Sequence, residues 1–153
     1  MIEEKLESIG IKLSNPTQPI GSYVPIIQSE NLIFVSGQIP LVNGTLPEKY
    51  KGKVSRQVAI TECKEASKQC TINALEHMKK FLGNLESISK FIKITGYVNS
   101  DASFKDHPKV INGASDLLLE IFGEKGRHTR VAIGVNSLPL DSVVEIDFLC
   151  EVH

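Results

Sequence analysis

The chain has no tryptophan, only three cysteines, and a formal net charge of −1 over 153 residues. Each scarcity excludes a class of protein. A balanced charge, with Lys and Arg scattered rather than gathered into a basic stripe with aromatics, leaves no electrostatic footprint for nucleic acid or an anionic membrane. Cys63, Cys70 and Cys150 are an odd number without a close pair. This suits a reducing compartment in which thiols serve as small hydrophobes. No apolar run approaches the length that spans a bilayer. The opening MIEEKLESIG is acidic and lacks the apolar core of a signal peptide, so a cytoplasmic protein is expected.

Motifs of familiar chemistry are missing too. His77, His107, His128 and His153 are dispersed, and neither CxxC nor HExxH occurs, so no metal site is expected. There is no GxSxG elbow, no GxGxxG and no Walker pattern. Ser36-Gly37 follows a strand, a weak signal taken alone. Elimination leaves a site made of Arg, carboxylate, hydroxyls and backbone groups.

What is present is ordinary for one globular domain over residues 1–153, with 41% hydrophobic and 23% charged residues. A short helix is expected over Ile2–Ile9, followed by a Pro-bearing extended segment. Ser22–Gln28 and Leu32–Gln38 read as a hairpin around Ser29-Glu30-Asn31. Leu41–Val54 reads as a long loop. From Arg56 to Leu82, Ala59, Cys63, Ala66, Cys70, Ala74, Met78 and Phe81 recur at steps of three and four, the stripe of a helix lying on a sheet. Phe91–Val98 is a further β-type run. A second helix starts near Pro108, with Val110, Ile111, Ala114, Leu117, Leu118, Ile121 and Phe122 as its buried face.

The last stretch, His128–Val152, reads as two neighbouring strands joined by a Ser137–Ser142 turn. Val144, Ile146, Phe148, Cys150 and Val152 make one face of the second strand. On the first, Arg130, Ala132 and Gly134 alternate with Val131, Ile133 and Val135. Arg130 is expected to stand beside carboxylates of the adjacent strand, on a face that is either solvated or a second packed surface with Arg130 and Glu145 toward a ligand. Intermixed helices and hairpins favour an α+β fold. Two helices on one face of a mostly antiparallel sheet would make a two-layer sandwich, with the other face open unless a second copy covers it.

PIGSYV at 19–24, FVSGQIP at 34–40, YVNS at 97–100, NGASD at 112–116 and the R-x7-LP-x5-EI pattern from Arg130 to Ile146 together resemble the YjgF/YER057c/UK114 (Rid, endoribonuclease L-PSP) family. The likeness spans nearly the whole chain. It implies a chorismate-mutase-like fold and a homotrimer with three ligand clefts between subunits. In the family's deaminases the substrate is an enamine or imine of a 2-keto acid, hydrolysed without a cofactor. Arg130 then matches the group that grips the substrate carboxylate, and Glu145 the one that positions water and manages protons. Tyr23, Ser36, Gly37 and Asn112 match cleft-lining residues, and the backbone around Ala132 would contact the imine nitrogen. Ala132 stands where deaminases often carry Cys. The lead-in GRHT replaces a Pro-Ala type and makes Arg127 a rival cation, against which the spacing to Leu138-Pro139 and Glu145 favours Arg130. The resemblance leaves room for a non-catalytic keto-acid-binding trimer. Endoribonuclease activity, attached to some of the family's names, is disfavoured by the mild acidity and the lack of a basic groove.

Overall fold

The computed structural model describes residues 1–19 and 21–153, so Ile20 of the PIGSYV stretch lies outside the described residues. The elements run α1 (Ile2–Ser8), β1 (Ile26–Ser29), β2 (Leu32–Gln38), α2 (Ile60–Leu82), β3 (Ile88–Asn99), α3 (His107–Phe122), β4 (Thr129–Val135) and β5 (Val144–Val152). Among the described residues, five strands form one sheet in the order β1-β2-β5-β3-β4, in which only the β3–β4 pair is parallel. Helices α2 and α3 cover one face. The architecture is the expected α+β two-layer sandwich, with the short α1 added against α3.

Local chemistry explains the elements. The β1–β2 hairpin closes on the Ser29–Leu32 pair, with Glu30 at φ 53° inside a two-residue turn. Helix α2 begins at Ile60 rather than Arg56, because Lys53–Val58 turns tightly with Ser55 at φ 66° and a Val54–Val58 bridge. It ends at Gly83, whose φ of 86° suits glycine. Cys63, Ala66, Cys70, Ala74 and Met78 are buried as the periodicity requires, whereas Phe81 stays half exposed. All seven apolar positions expected on α3 are buried, and Pro108 occupies its first turn. The three thiols are buried, and burial pushes Cys63 and Cys150 up to about 12, which leaves them inert. The segment expected as a long loop, Leu41–Val54, is anchored by buried Leu46, Tyr50 and Val54.

Motif NGASD does its structural part here. A Cβ on Gly113 would come within 2.0 Å of the Lys64 carbonyl oxygen, so α2 and α3 cross where no side chain fits. The next residue's amide, on Ala114, donates to Ser67 Oγ at 3.1 Å.

The C-terminal strands correct the expectation. β4 and β5 are not neighbours; β3 lies between them. After α3 the chain returns parallel to β3, a β-α-β crossover that places β4 at the sheet edge. The connection then turns through Leu140 (φ 57°) and Asp141 (φ 61°). It is tied down by Gly52 N–H to Asp141 O and Val143 N–H to Tyr50 O, and β5 enters the sheet centre. Its Val144, Ile146, Phe148, Cys150 and Val152 all face the core.

The faces of β4 are also reversed from the expectation that small residues lie on the open side. Ala132 packs against the core, and a Cβ on Gly134 would meet Ser100 Oγ at 2.5 Å and His107 Nε2 at 2.6 Å. The small residues admit the helix layer. Val131 and Ile133, 39% and 42% exposed, lie on the open sheet face with Phe34 and Ile27. Among the described residues, no helix is long and apolar enough to cross a membrane.

Candidate functional site

The expected site residues fall into two groups on different faces. The first is built on α3 and β4. Arg130, at the start of β4 opposite Ile94, points to the helix side. Its Nη1 donates to Asn112 Oδ1 at 2.8 Å and to Ser115 Oγ at 3.1 Å, and Nη2 reaches Pro108 O at 3.5 Å. Both Nη1 hydrogens are thereby used. The Nε–H has no partner among the described residues, and it lies on the same edge of the guanidinium as Nη2, the pair that grips a carboxylate through two parallel bonds. Ala132 follows on the same side of the strand and contributes only a methyl group and its backbone.

Behind Ser115 stands His128. Its Nδ1 lies 2.6 Å from Gly126 O, so it is the protonated nitrogen. Nε2, at 2.8 Å, then accepts from the Ser115 hydroxyl. Ser115 and His128 were absent from the expected set, although Ser115 belongs to NGASD. Arg127 instead pairs with Glu124 on the surface and takes no part.

The second group surrounds a cleft of about 450 Å³ shared by Tyr23, Gly37, His77, Pro139 and Glu145. It opens where β2 bulges between Val35 and Gln38 against β5. A Cβ on Gly37 would stand 3.0 Å from Glu145 Cδ, so glycine lets the carboxylate in. Ser36 is at the same bulge, but its hydroxyl donates to Val24 O at 2.8 Å, which secures the segment before β1. Burial, and then the negative charge of Asp147, hold the Glu145 carboxyl above the usual carboxylate range. Asp147 itself accepts from Tyr97 OH at 3.1 Å.

The two groups do not meet within a chain. Arg130 pairs with Ile94 and Glu145 with Tyr97, three residues further along β3 and on its other flank. Strand spacing and rise put their Cα atoms about 14 Å apart, with the side chains on opposite faces. The expectation that they share one face of adjacent strands is therefore overturned by the insertion of β3. Among the described residues, no three His, Cys, Asp or Glu side chains gather as metal ligands.

Comparison with known proteins agrees with this arrangement of elements. The YjgF/chorismate mutase-like family profile, whose description also carries an endoribonuclease label, matches residues 3–152. The chain belongs to this family. Among curated family relatives, Protein TCP17 of Trypanosoma cruzi is 36% identical over 99% of this chain and 94% of its own. The crystal structure of protein Atu1372, of unknown function, from Agrobacterium tumefaciens superposes with a TM-score of 0.92. It is 38% identical, covering 99% of this chain and 92% of that one. The fold extends to Escherichia coli TdcF, solved with bound serine, at a TM-score of 0.64 and 20% identity over 91% of this chain and 94% of that one.

Proposed function

We propose that this protein is a cofactor-free deaminase of the cytoplasm that hydrolyses imines and enamines of 2-keto acids. In this reading it acts as a homotrimer with its clefts between subunits. The observation that carries it is the state of Arg130: one nitrogen fully engaged by Asn112 and Ser115, and the carboxylate-gripping edge left to a ligand. Because Arg130 and Glu145 point away from each other within a chain, one subunit contributes the Arg130 edge and the next contributes the Glu145 cleft. The apolar open face around Phe34, Val131 and Ile133 supports such an assembly, since a patch of this kind on a lone domain is a liability.

The chemistry follows from the two groups. Arg130 holds the carboxylate and so fixes C2 of the substrate, while backbone polar groups near Ala132 meet the imine nitrogen. Glu145, when ionised, takes a proton from water as its oxygen bonds to C2. The tetrahedral adduct then collapses. Glu145 passes the water proton to the nitrogen, the adduct's hydroxyl gives up its own proton as the C=O bond forms, and the C–N bond breaks to release ammonia and leave the 2-keto acid. A Glu145 carboxyl held above its ordinary range by burial and by Asp147 keeps a proton more readily than an exposed carboxylate, which suits a group that both takes and returns one.

A second reading, keto-acid binding without turnover, draws support from Ala132, which offers no side-chain chemistry where deaminases of the family often carry Cys. RNA cleavage draws none from a chain of net charge −1. The deciding test generates imines from several amino acids with an amino-acid oxidase in the presence of semicarbazide. Wild type should divert the imine to keto acid, and Arg130→Ala should not. Saturable keto-acid binding without diversion would leave the binding module instead.

A further inference from the structure

Three of the four histidines have hydrogen-bond partners: His107 with Ser100, His128 with Gly126 and Ser115, and His153 with the Glu86 carbonyl. The fourth, His77 in the last third of α2, is only 8% exposed and lines the Glu145 cleft. It has no hydrogen-bond partner among the described residues. No fully buried side-chain nitrogen or oxygen there lacks a partner. The unpartnered ring nitrogens therefore keep accessible surface, on a residue that lines the cleft. A ring nitrogen that keeps accessible surface on a residue lining the cleft, without a protein partner among the described residues, is placed to bond a molecule bound there.

Burial, and then the neighbouring Lys80 charge, lower the His77 pKa, so the ring is neutral near pH 7. A neutral imidazole presents one donor and one acceptor. A hydroxyl or a carboxamide matches both. A second carboxylate does not, because Glu76 and Glu145 line the same cleft. An apolar side chain would leave both nitrogens without partners.

We propose that His77 is a specificity-determining residue that hydrogen-bonds a hydroxyl or carboxamide on the side chain of the bound 2-keto acid or its imine. This rests on the cleft being the keto-acid site, and the test keeps the two claims apart. Binding would be measured for two pairs of near-isosteric keto acids. Hydroxypyruvate is set against 2-oxobutyrate, and 2-oxoglutaramate against 2-oxo-5-methylhexanoate. Wild type should bind the polar member of at least one pair about tenfold more tightly. His77→Phe should erase that preference while keeping affinity for the apolar member, and His77→Gln should restore part of it. The His77 ring-nitrogen resonances should also shift on titration with the preferred ligand, a readout on wild type that does not depend on the variants folding. Equal affinities in wild type, a preference untouched by His77→Phe, or ring resonances that stay still would overturn the assignment and leave the keto-acid reading standing. Failure of wild type to bind any of the four would overturn that reading, and the assignment with it.

Discussion

Asn112 Oδ1 accepts a hydrogen bond from Arg130 Nη1 at 2.8 Å, tying the middle of α3 to the start of β4. With Ser115 on the second hydrogen of the same nitrogen, the guanidinium is set before any ligand arrives. Part of the ordering cost of binding is then met in folding. Asn112→Ala and Ser115→Ala should each raise KM or Kd for keto-acid ligands about tenfold, as expected for losing a bond to a charged group. Thermal denaturation should move little by comparison.

Lysine should not replace Arg130. An ammonium cannot donate to Asn112, Ser115 and two carboxylate oxygens in fixed directions. Arg130→Lys and Arg130→Ala should both lower kcat/KM by roughly a hundredfold or more, since both forfeit a bidentate charged contact. A lysine variant close to wild type would remove the fork geometry from the account.

The pH profile should report Glu145. Its carboxyl is raised by burial and by Asp147, and the working form as base is the anion. Activity should therefore rise with pH through a midpoint above the ordinary carboxylate range and fall below it. Asp147→Asn removes the nearby charge and should move that midpoint down. Glu145→Gln should abolish the rising limb along with most of the rate. Initial rates across pH 4 to 8 would decide it.

Gly113→Ala should be costly although it adds one methyl group. The new Cβ would press on the Lys64 carbonyl, a backbone atom that cannot rotate away. Overpacking of this kind costs about 1–3 kcal/mol. For a chain of this length that corresponds to a fall in Tm of roughly 2–12 °C.

The open sheet face should govern assembly. Ile133→Lys and Val131→Glu place charge among exposed apolar side chains, outside the fold's own core. Sedimentation should show wild type as a trimer and the double variant as a monomer. Deamination should be lost with the trimer if the cleft spans two subunits. A wild-type monomer that retains full activity would remove the intersubunit site.

Helices and the central strand were legible because their evidence is local. Seven apolar residues at helical spacing bury α3, and alternation along Val144–Val152 buries one face of β5. Even NGASD could be noticed as a motif. Its separate jobs, with Asn112 and Ser115 serving Arg130 and Gly113 serving the helix crossing, appear only when α3 lies between β4 and α2. In the sequence His77 is only one of four dispersed histidines, for the same reason. Its burial without a partner depends on the walls of a cleft supplied by the Tyr23 segment, the β2 bulge and the Pro139 turn.

By itself the sequence determined the α+β class, the buried faces of α2, α3 and β5, and the identity of the charged candidates. Periodicity and side-chain chemistry are properties of short stretches, readable without knowing what lies beside them. Only the tertiary structure decided that β3 separates β4 from β5, and that Arg130 and Glu145 lie on different faces of the sheet. A strand's neighbours depend on which distant segments can satisfy its two edges at once. Here a parallel crossover through α3 claimed one edge of β3 and left the other to β5.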